Sequence, residues 1–291
     1  MTTPDLRIIK IGRRWVFSSS RLATSYGIPA VQRGLHAFFS LIFPEDCRIC
    51  ERPLQEISRI PLCRDCLKTP EPLRAEYFCA SCGTPFQNAF PLDSEGRCAL
   101  CRHGLRGFDA AYSFGSYEGL LREWIHLYKY GRVKTLAKPM VELLGAALPR
   151  EERLDAVVPV PLHWRKRWQR GFNQSELLAR GIARKWGLPV LRALGRRRYT
   201  PAQAGLSNTA RRKNVATAFA AKRNVEGKRL LLIDDVLTTG STAAACAAAL
   251  RRAGAARVVL LTVARADRRL NASFSSFIAD SNSEESLGDA E

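Results

Sequence analysis

Residues 229–242 read RLLLIDDVLTTGST, and no other stretch constrains the fold of this chain so closely. Leu230, Leu231, Leu232 and Ile233 follow one another without a polar break, as in a strand buried on both faces of a parallel sheet. Asp234 and Asp235 come next, then Val236 and Leu237, then Thr238, Thr239, Gly240, Ser241 and Thr242. The Ala-rich run that follows, AAACAAALRRAG, reads as a helix. A loop of Thr, Gly and Ser at a helix start offers backbone N–H groups and the positive end of the dipole, which suits a phosphate monoester. Adjacent carboxylates at the strand end suit two neighbouring hydroxyls, because ionised carboxylates only accept hydrogen bonds and sugar hydroxyls donate them. A phosphate and a diol held close together describe a ribose 5-phosphate. The predicted class is α/β, a Rossmann-like parallel sheet flanked by helices.

An Asp at a strand end and a Gly-Ser helix start occur in many α/β proteins; the specificity lies in the full run. It resembles the phosphoribosyl pyrophosphate (PRPP) signature of the type I phosphoribosyltransferases. The resemblance implies that Asp234 and Asp235 hold the ribose 2′ and 3′ hydroxyls and that Thr238, Thr239, Gly240, Ser241 and Thr242 hold the 5-phosphate. PRPP would bind with Mg2+. If ribose is transferred, Asp235 is the candidate catalytic group, aiding the acceptor.

Upstream, residues 155–161 (DAVVPVP) read as a buried strand closed by prolines. They run into a basic-aromatic loop, residues 163–173, at the point where a strand's C-terminal end meets a helix. Open α/β sheets bind ligands in that crevice. Arg165, Lys166 and Arg170 are the candidates to compensate a pyrophosphate there. Asn173 is placed to cap the helix SELLARGIARKWG. Residues 108–117 read as a strand or hairpin, 120–130 and 136–148 as helices, and 256–266 as a last strand completing a βαβ unit. Residues 192–214 are polar and Arg-rich, the composition of a mobile lid or an extended arm.

Eight of nine cysteines form four CxxC pairs: Cys47/Cys50, Cys63/Cys66, Cys79/Cys82 and Cys98/Cys101. Two thiolates two residues apart grip one tetrahedral Zn2+ from a tight turn, and two such knuckles complete its sphere. Pairing in chain order gives Cys47, Cys50, Cys63, Cys66 and Cys79, Cys82, Cys98, Cys101; the spacings also allow an interleaved pairing. Disulfides are the other reading, but the rest of the chain looks intracellular, where thiols stay reduced. Four protein ligands leave no open position, so the sites are structural, each worth about 10–16 kcal/mol of folding. Between Cys47 and Cys101 seven basic side chains face seven acidic ones. That neutrality favours a structural or docking role for the module over a grip on DNA. Cys246, in the Ala-rich run, is expected to pack.

The formal charge is +19, and the five acids of residues 271–291 leave +24 on residues 1–270. Such a surplus points to polyanionic partners. Trp164, Trp168, Phe172 and Tyr199 lie among the basic segments, where they could stack on unpaired bases or simply pack in the core. No apolar run reaches the length of a spanning helix, and the first residues lack the apolar region of a secretory signal.

The four CxxC pairs, PVPLHWRKRWQRGFNQSELLA, TPAQAGLSNTARRKNVATAF and LLLIDDVLTTGST together resemble the ComF family over roughly residues 40–266. The resemblance implies a type I phosphoribosyltransferase fold behind an N-terminal double zinc ribbon. It implies a cytoplasmic role in natural competence and DNA uptake. The expected partners are PRPP or a related phosphosugar, single-stranded DNA, and competence or DNA-processing proteins. The alternative is an active phosphoribosyltransferase of nucleotide or base metabolism with no part in DNA uptake. The expected organisation is a basic extension with a short amphipathic helix (1–43), the ribbons (44–104), the phosphoribosyltransferase-like domain (105–270) and a disordered acidic tail (271–291).

Overall fold

A computed structural model describes residues 8–11, 14–17, 46–54, 58–103, 107–162, 164–196 and 218–266. The helix expected within 31–43, most of the Arg-rich segment 192–214 and the acidic tail lie outside them. The chain divides into two units, residues 1–45 with 53–57 and residues 46–52 with 58–291. In the first, β1 (Ile8–Ile11) and β2 (Arg14–Phe17) pair antiparallel, Ile8 opposite Phe17. The stretch read as a plain basic extension therefore contains a hairpin, built from β-branched and aromatic residues that favour strands.

The second unit runs β3 (Tyr77–Phe78), β4 (Pro85–Phe86), α1 (Ala99–His103), β5 (Ala110–Ser116), α2 (Gly119–Lys129), α3 (Ala137–Ala147), β6 (Ala156–Pro159), α4 (Trp164–Arg170), α5 (Gln174–Trp186), β7 (Leu194–Arg196), β8 (Phe219–Ala221), β9 (Arg229–Leu237), α6 (Ser241–Arg252) and β10 (Arg257–Arg265). Its centre is a parallel sheet in the order β5-β10-β9-β6. Side chains alternate across a strand. Leu230, Leu232, Val158 and Leu260 accordingly share one buried cluster with Ala243, Ala247 and Leu250 of α6. Leu231, Ile233, Val259 and Leu261, all fully buried, face the other way, toward α3 and α5. Each buried Leu or Ile contributes roughly 2 kcal/mol, so β9 and β10 anchor the fold.

Two local expectations change. Residues 164–170 form a helix rather than a loop; WRKRWQR contains no Gly or Pro and is rich in good helix formers. Asn173 does stand at the N-cap of α5 but caps nothing. Its Nδ2 donates instead to the Val160 carbonyl at 3.2 Å, tying the helix start to the end of β6. Of residues 192–214, residues 192–196 are described; β7 among them pairs antiparallel with β8.

Both cysteine groups belong to the second unit. In the first group, Cys66 O accepts a hydrogen bond at 2.8 Å from the indole of Trp124, a residue of α2 that is 1% exposed. Between the groups, the Leu73 N–H donates to Phe114 O at 2.6 Å, covering β5, the edge strand of the sheet. The second group is merged with the sheet domain. Cys79, Cys82, Cys98 and Cys101 sit in the same buried cluster as the alanines of α6. Gly83 (φ +64°) brings its turn against β5 so closely that a Cβ would lie 2.4 Å from Ala111 O. A segment too small for a core of its own thus uses the core of its neighbour.

Candidate functional site

β9 does not stop before the acidic pair; its pairing with β10 continues to Leu237 opposite Arg265. Asp234 and Asp235 are therefore consecutive strand residues at the C-terminal end of the sheet, and their side chains leave on opposite sides. Asp235 is buried against Lys129, the last residue of α2, with Nζ to Oδ1 at 2.8 Å and both side chains less than 15% exposed. Burial pulls the Lys129 pKa down, but the Asp235 carboxylate outweighs it and the net shift is upward. Asp234 Oδ1 accepts from Ser175 Oγ at 3.0 Å and from the Asp235 N–H at 2.9 Å. Burial first, and the neighbouring Asp235 charge second, push Asp234 up to about 7. Burial, then the charge of Asp234, raise the thiol pKa of Cys246 in α6; that cysteine is core, as expected.

The hydroxylated loop follows directly. Thr238 is exposed, Thr239 is half-buried, and Gly240 starts α6 in the left-handed conformation (φ 72°) with no side-chain cap. Thr239 Oγ1 and Ser241 Oγ lie 3.0 Å apart, beside Thr242 in the first turn. The Ser241 N–H donates to Thr239 Oγ1 at a long 3.4 Å, and a helix start flanked by hydroxyls in this way suits an anion.

The start of α5 faces the same end of the sheet. Gln174 is 1% exposed, and its Nε2 has no hydrogen-bond partner. A buried orphan donor is rare and is met by water or ligand. Its Oε1 accepts from Arg170 Nη1 at 3.3 Å, and its carbonyl accepts from the Tyr128 hydroxyl at 2.9 Å. Arg170 also lies 5.1 Å over the Tyr130 ring. Arg165 and Lys166 belong to α4; their side chains are outside the described set.

Lys129, Ser175 and Gln174 escaped the sequence reading. Lys129 did carry a signal. It falls four residues after Ile125 on a stripe that buries Leu121, Trp124, Ile125 and Tyr128, and a cation there calls for a carboxylate. Ser175 and Gln174 had none beyond their place in a helix start.

The cysteines meet in chain order, Cys47, Cys50, Cys63, Cys66 and Cys79, Cys82, Cys98, Cys101, with all sulfurs of a group within 4.8 Å of one another. Zn–S bonds of about 2.3 Å place tetrahedral sulfurs about 3.8 Å apart. The Cys50–Cys63, Cys79–Cys101 and Cys82–Cys98 separations are 3.6, 3.7 and 3.7 Å, so the donor sets fit structural zinc. Four thiolates and Zn2+ sum to two negative charges. Buried Arg265, at the end of β10, answers them: it donates to Cys82 O at 2.5 Å and to Thr84 Oγ1, and approaches Cys82 Sγ at 3.7 Å.

Residues 173–282 match the phosphoribosyl transferase domain and residues 38–103 the double zinc ribbon domain. DNA utilization protein YhgH of Escherichia coli O157:H7 is 31% identical over 203 residues, 66% of this chain and 85% of that protein. Competence protein F of Haemophilus influenzae is 29% identical over 171 residues, 56% of this chain and 71% of that protein. Among solved structures, a glutamine PRPP amidotransferase from B. subtilis complexed with ADP and GMP is 28% identical where it aligns, over 44% of this chain and 26% of that one. Its TM-score of 0.32 is too low to place individual residues. The domain matches, the parallel sheet and the two cysteine clusters agree on one architecture: a phosphoribosyltransferase fold with a double zinc ribbon before it.

Proposed function

Because this chain belongs to the ComF family, alongside DNA utilization protein YhgH and competence protein F, we propose that it binds PRPP with Mg2+ and handles incoming single-stranded DNA in the cytoplasm during DNA uptake. One observation carries the ligand half of this reading: an acidic pair and an uncapped, hydroxyl-lined helix start stand side by side where the parallel strands end. In it, Asp234 and Asp235 accept from the ribose hydroxyls, and Thr238, Thr239, Gly240, Ser241 and Thr242 hold the 5-phosphate. Arg165, Lys166 and Arg170 face the pyrophosphate, and the unpartnered Gln174 amide gives a further donor at that side. Mg2+ bound with the ligand would supply neutralisation of pyrophosphate charge.

Transfer, where it occurs, forms a bond from an acceptor nitrogen to C1 of the ribose. The bond from C1 to the pyrophosphate oxygen breaks, and pyrophosphate leaves with the electron pair. Asp235, ion-paired with Lys129, is suited to orient the acceptor's N–H. The DNA half rests on the +24 carried by residues 1–270 and on what the two relatives are named for.

Calorimetric titration of Mg2+ and PRPP tests the site. The wild type is expected to bind and Asp234→Ala/Asp235→Ala to show no binding heat; equal heats from the two proteins, or none from either, sink the reading. A screen of nucleobase acceptors then separates the two functions. Base-dependent pyrophosphate release marks an enzyme of nucleotide metabolism, whereas salt-sensitive binding of single-stranded DNA without release marks a DNA-uptake factor.

A further inference from the structure

Two adjoining hollows beside the β7–β8 ribbon gather cations that the PRPP site does not use. One, of about 390 Å³, is lined by Arg180 of α5, Val190, Arg192 and Arg223. The other, of about 430 Å³, is lined by Lys222, Arg223, Glu226 and Arg252, the last residue of α6, among others. Arg223 belongs to both, so the two hollows meet there. The backbone sets this groove in place. The Val157 N–H donates to Pro189 O at 2.9 Å and the Leu191 N–H to Val157 O at 2.8 Å, which carries the chain along the β6 edge into the ribbon. β8 then packs against α6. Gly195 leaves room for the Lys222 stem to cross β7, since a Cβ there would lie 2.2 Å from Lys222 Cε.

The charges of the groove do not cancel. Arg180, Arg192, Lys222, Arg223 and Arg252 are all exposed. Glu176 Oε1 accepts from Arg180 Nη2 at 2.9 Å and from Arg192 Nε at 3.0 Å, and Glu226 is the one acid among the described lining residues. Five cations against two carboxylates leave three positive charges. Among the described residues, the side chains of Lys222, Arg223 and Arg252 have no hydrogen-bond or ion-pair partner.

The chemistry of these cations points to phosphate. Four of the five are arginines, whose planar fork of donors matches a phosphate group. A single phosphate monoester engages one hollow, whereas a chain of phosphates engages both, as a nucleic-acid backbone does. No aromatic side chain is among the described residues of the lining, so the grip is ionic and indifferent to the base. The groove is also remote from the ligand: Arg252 stands eleven residues along α6 from Ser241, about 16 Å at the helical rise.

We infer that the groove formed by Arg180, Arg192, Lys222, Arg223 and Arg252 is a track for the phosphates of a single nucleic-acid strand. The inference rests on the DNA half of the proposed function and assigns it to a surface that holds neither the PRPP residues nor the neutral ribbons.

The test is the affinity of the full chain for labelled oligothymidine and oligodeoxyadenosine across a salt series. Lys222→Gln/Arg223→Gln/Arg252→Gln is expected to lower the salt slope by about 2, at roughly 0.7 per phosphate released, and to weaken binding about a hundredfold at 0.1 M salt. The loss should be the same for both oligonucleotides, and a loss confined to one base overturns the track. Arg223→Lys/Arg252→Lys keeps the charge and should keep the slope; a loss equal to that of the Gln variant would assign the residues to the fold and overturn the proposal. Wild-type slope and affinity in the Gln variant overturn the track while leaving the DNA reading intact. A wild type that binds neither oligonucleotide removes both.

Discussion

Loss of metal from Cys79, Cys82, Cys98 and Cys101 is expected to unfold far more than the ribbon that holds it. These four cysteines are at most 8% exposed and share one apolar cluster with α6 and the sheet. In the first group Cys50 and Cys63 are half-buried, and the contacts to the rest of the domain run through Trp124 and Arg48. A structural zinc contributes about 10–16 kcal/mol, as much as the whole stability of a typical domain, roughly 5–15 kcal/mol. Removing the second metal also leaves Arg265 buried without the charge it answers. Hydrogen exchange on Cys82→Ser should therefore show protection lost in β5, β10 and α6. In Cys50→Ser the loss should stay near residues 46–68 and α2. Native protection of α6 in a zinc-depleted Cys82→Ser protein would show the second ribbon to be an independent module.

Opposite changes at the acidic pair are expected to move stability in opposite directions. Asp234 holds its proton up to about pH 7 in the fold, well above the usual carboxylate range. A group with a raised folded pKa stabilises the native state fully below its unfolded value and loses that contribution as pH rises through the folded one. Above pH 7 the ligand-free protein thus carries two adjacent carboxylates against the single charge of Lys129. Asp234→Asn keeps an oxygen to accept from Ser175 and from the Asp235 N–H, and it removes the repulsion. Its ligand-free Tm should exceed wild type at pH 8 by roughly 3–10 °C, a gain of some 1–3 kcal/mol, and the gap should shrink as pH falls from about 7 toward the usual carboxylate range. The same variant should bind PRPP at least about tenfold more weakly. Lys129→Met strands Asp235 as a buried charge and should cost about 3–5 kcal/mol at pH 8. A Tm difference for Asp234→Asn that is equal at pH 5 and pH 8 would mean that Asp234 does not titrate between them.

Stability and binding thus pull against each other at Asp234, as they do where a site is kept ready for a ligand. The ligand-free protein tolerates a carboxylate that its own environment would rather protonate. Lys129 moderates the cost from α2, more than a hundred residues earlier in the chain.

What the sequence determined by itself is what rests on short spacings. The apolar run of β9, the helix α2 and the CxxC knuckles are each written within a dozen residues, and each formed, although β9 runs on through the acidic pair to Leu237. The basic segment 164–170 carried its helix signal just as locally, in residues that favour helix and lack Gly or Pro, although its charge suggested a loop. Only the tertiary structure decided the rest. It paired the cysteines in order where the spacings also allowed interleaving, and it sent Asn173 to Val160 instead of to its helix. It buried Phe172 and left Trp168 exposed. It set Lys129 against Asp235 and Arg265 against Cys82. The reason is physical: a strand or a knuckle is specified by neighbours along the chain. The partner of a buried charge is whatever the packing of distant elements brings within about 3 Å, and no local pattern records that distance.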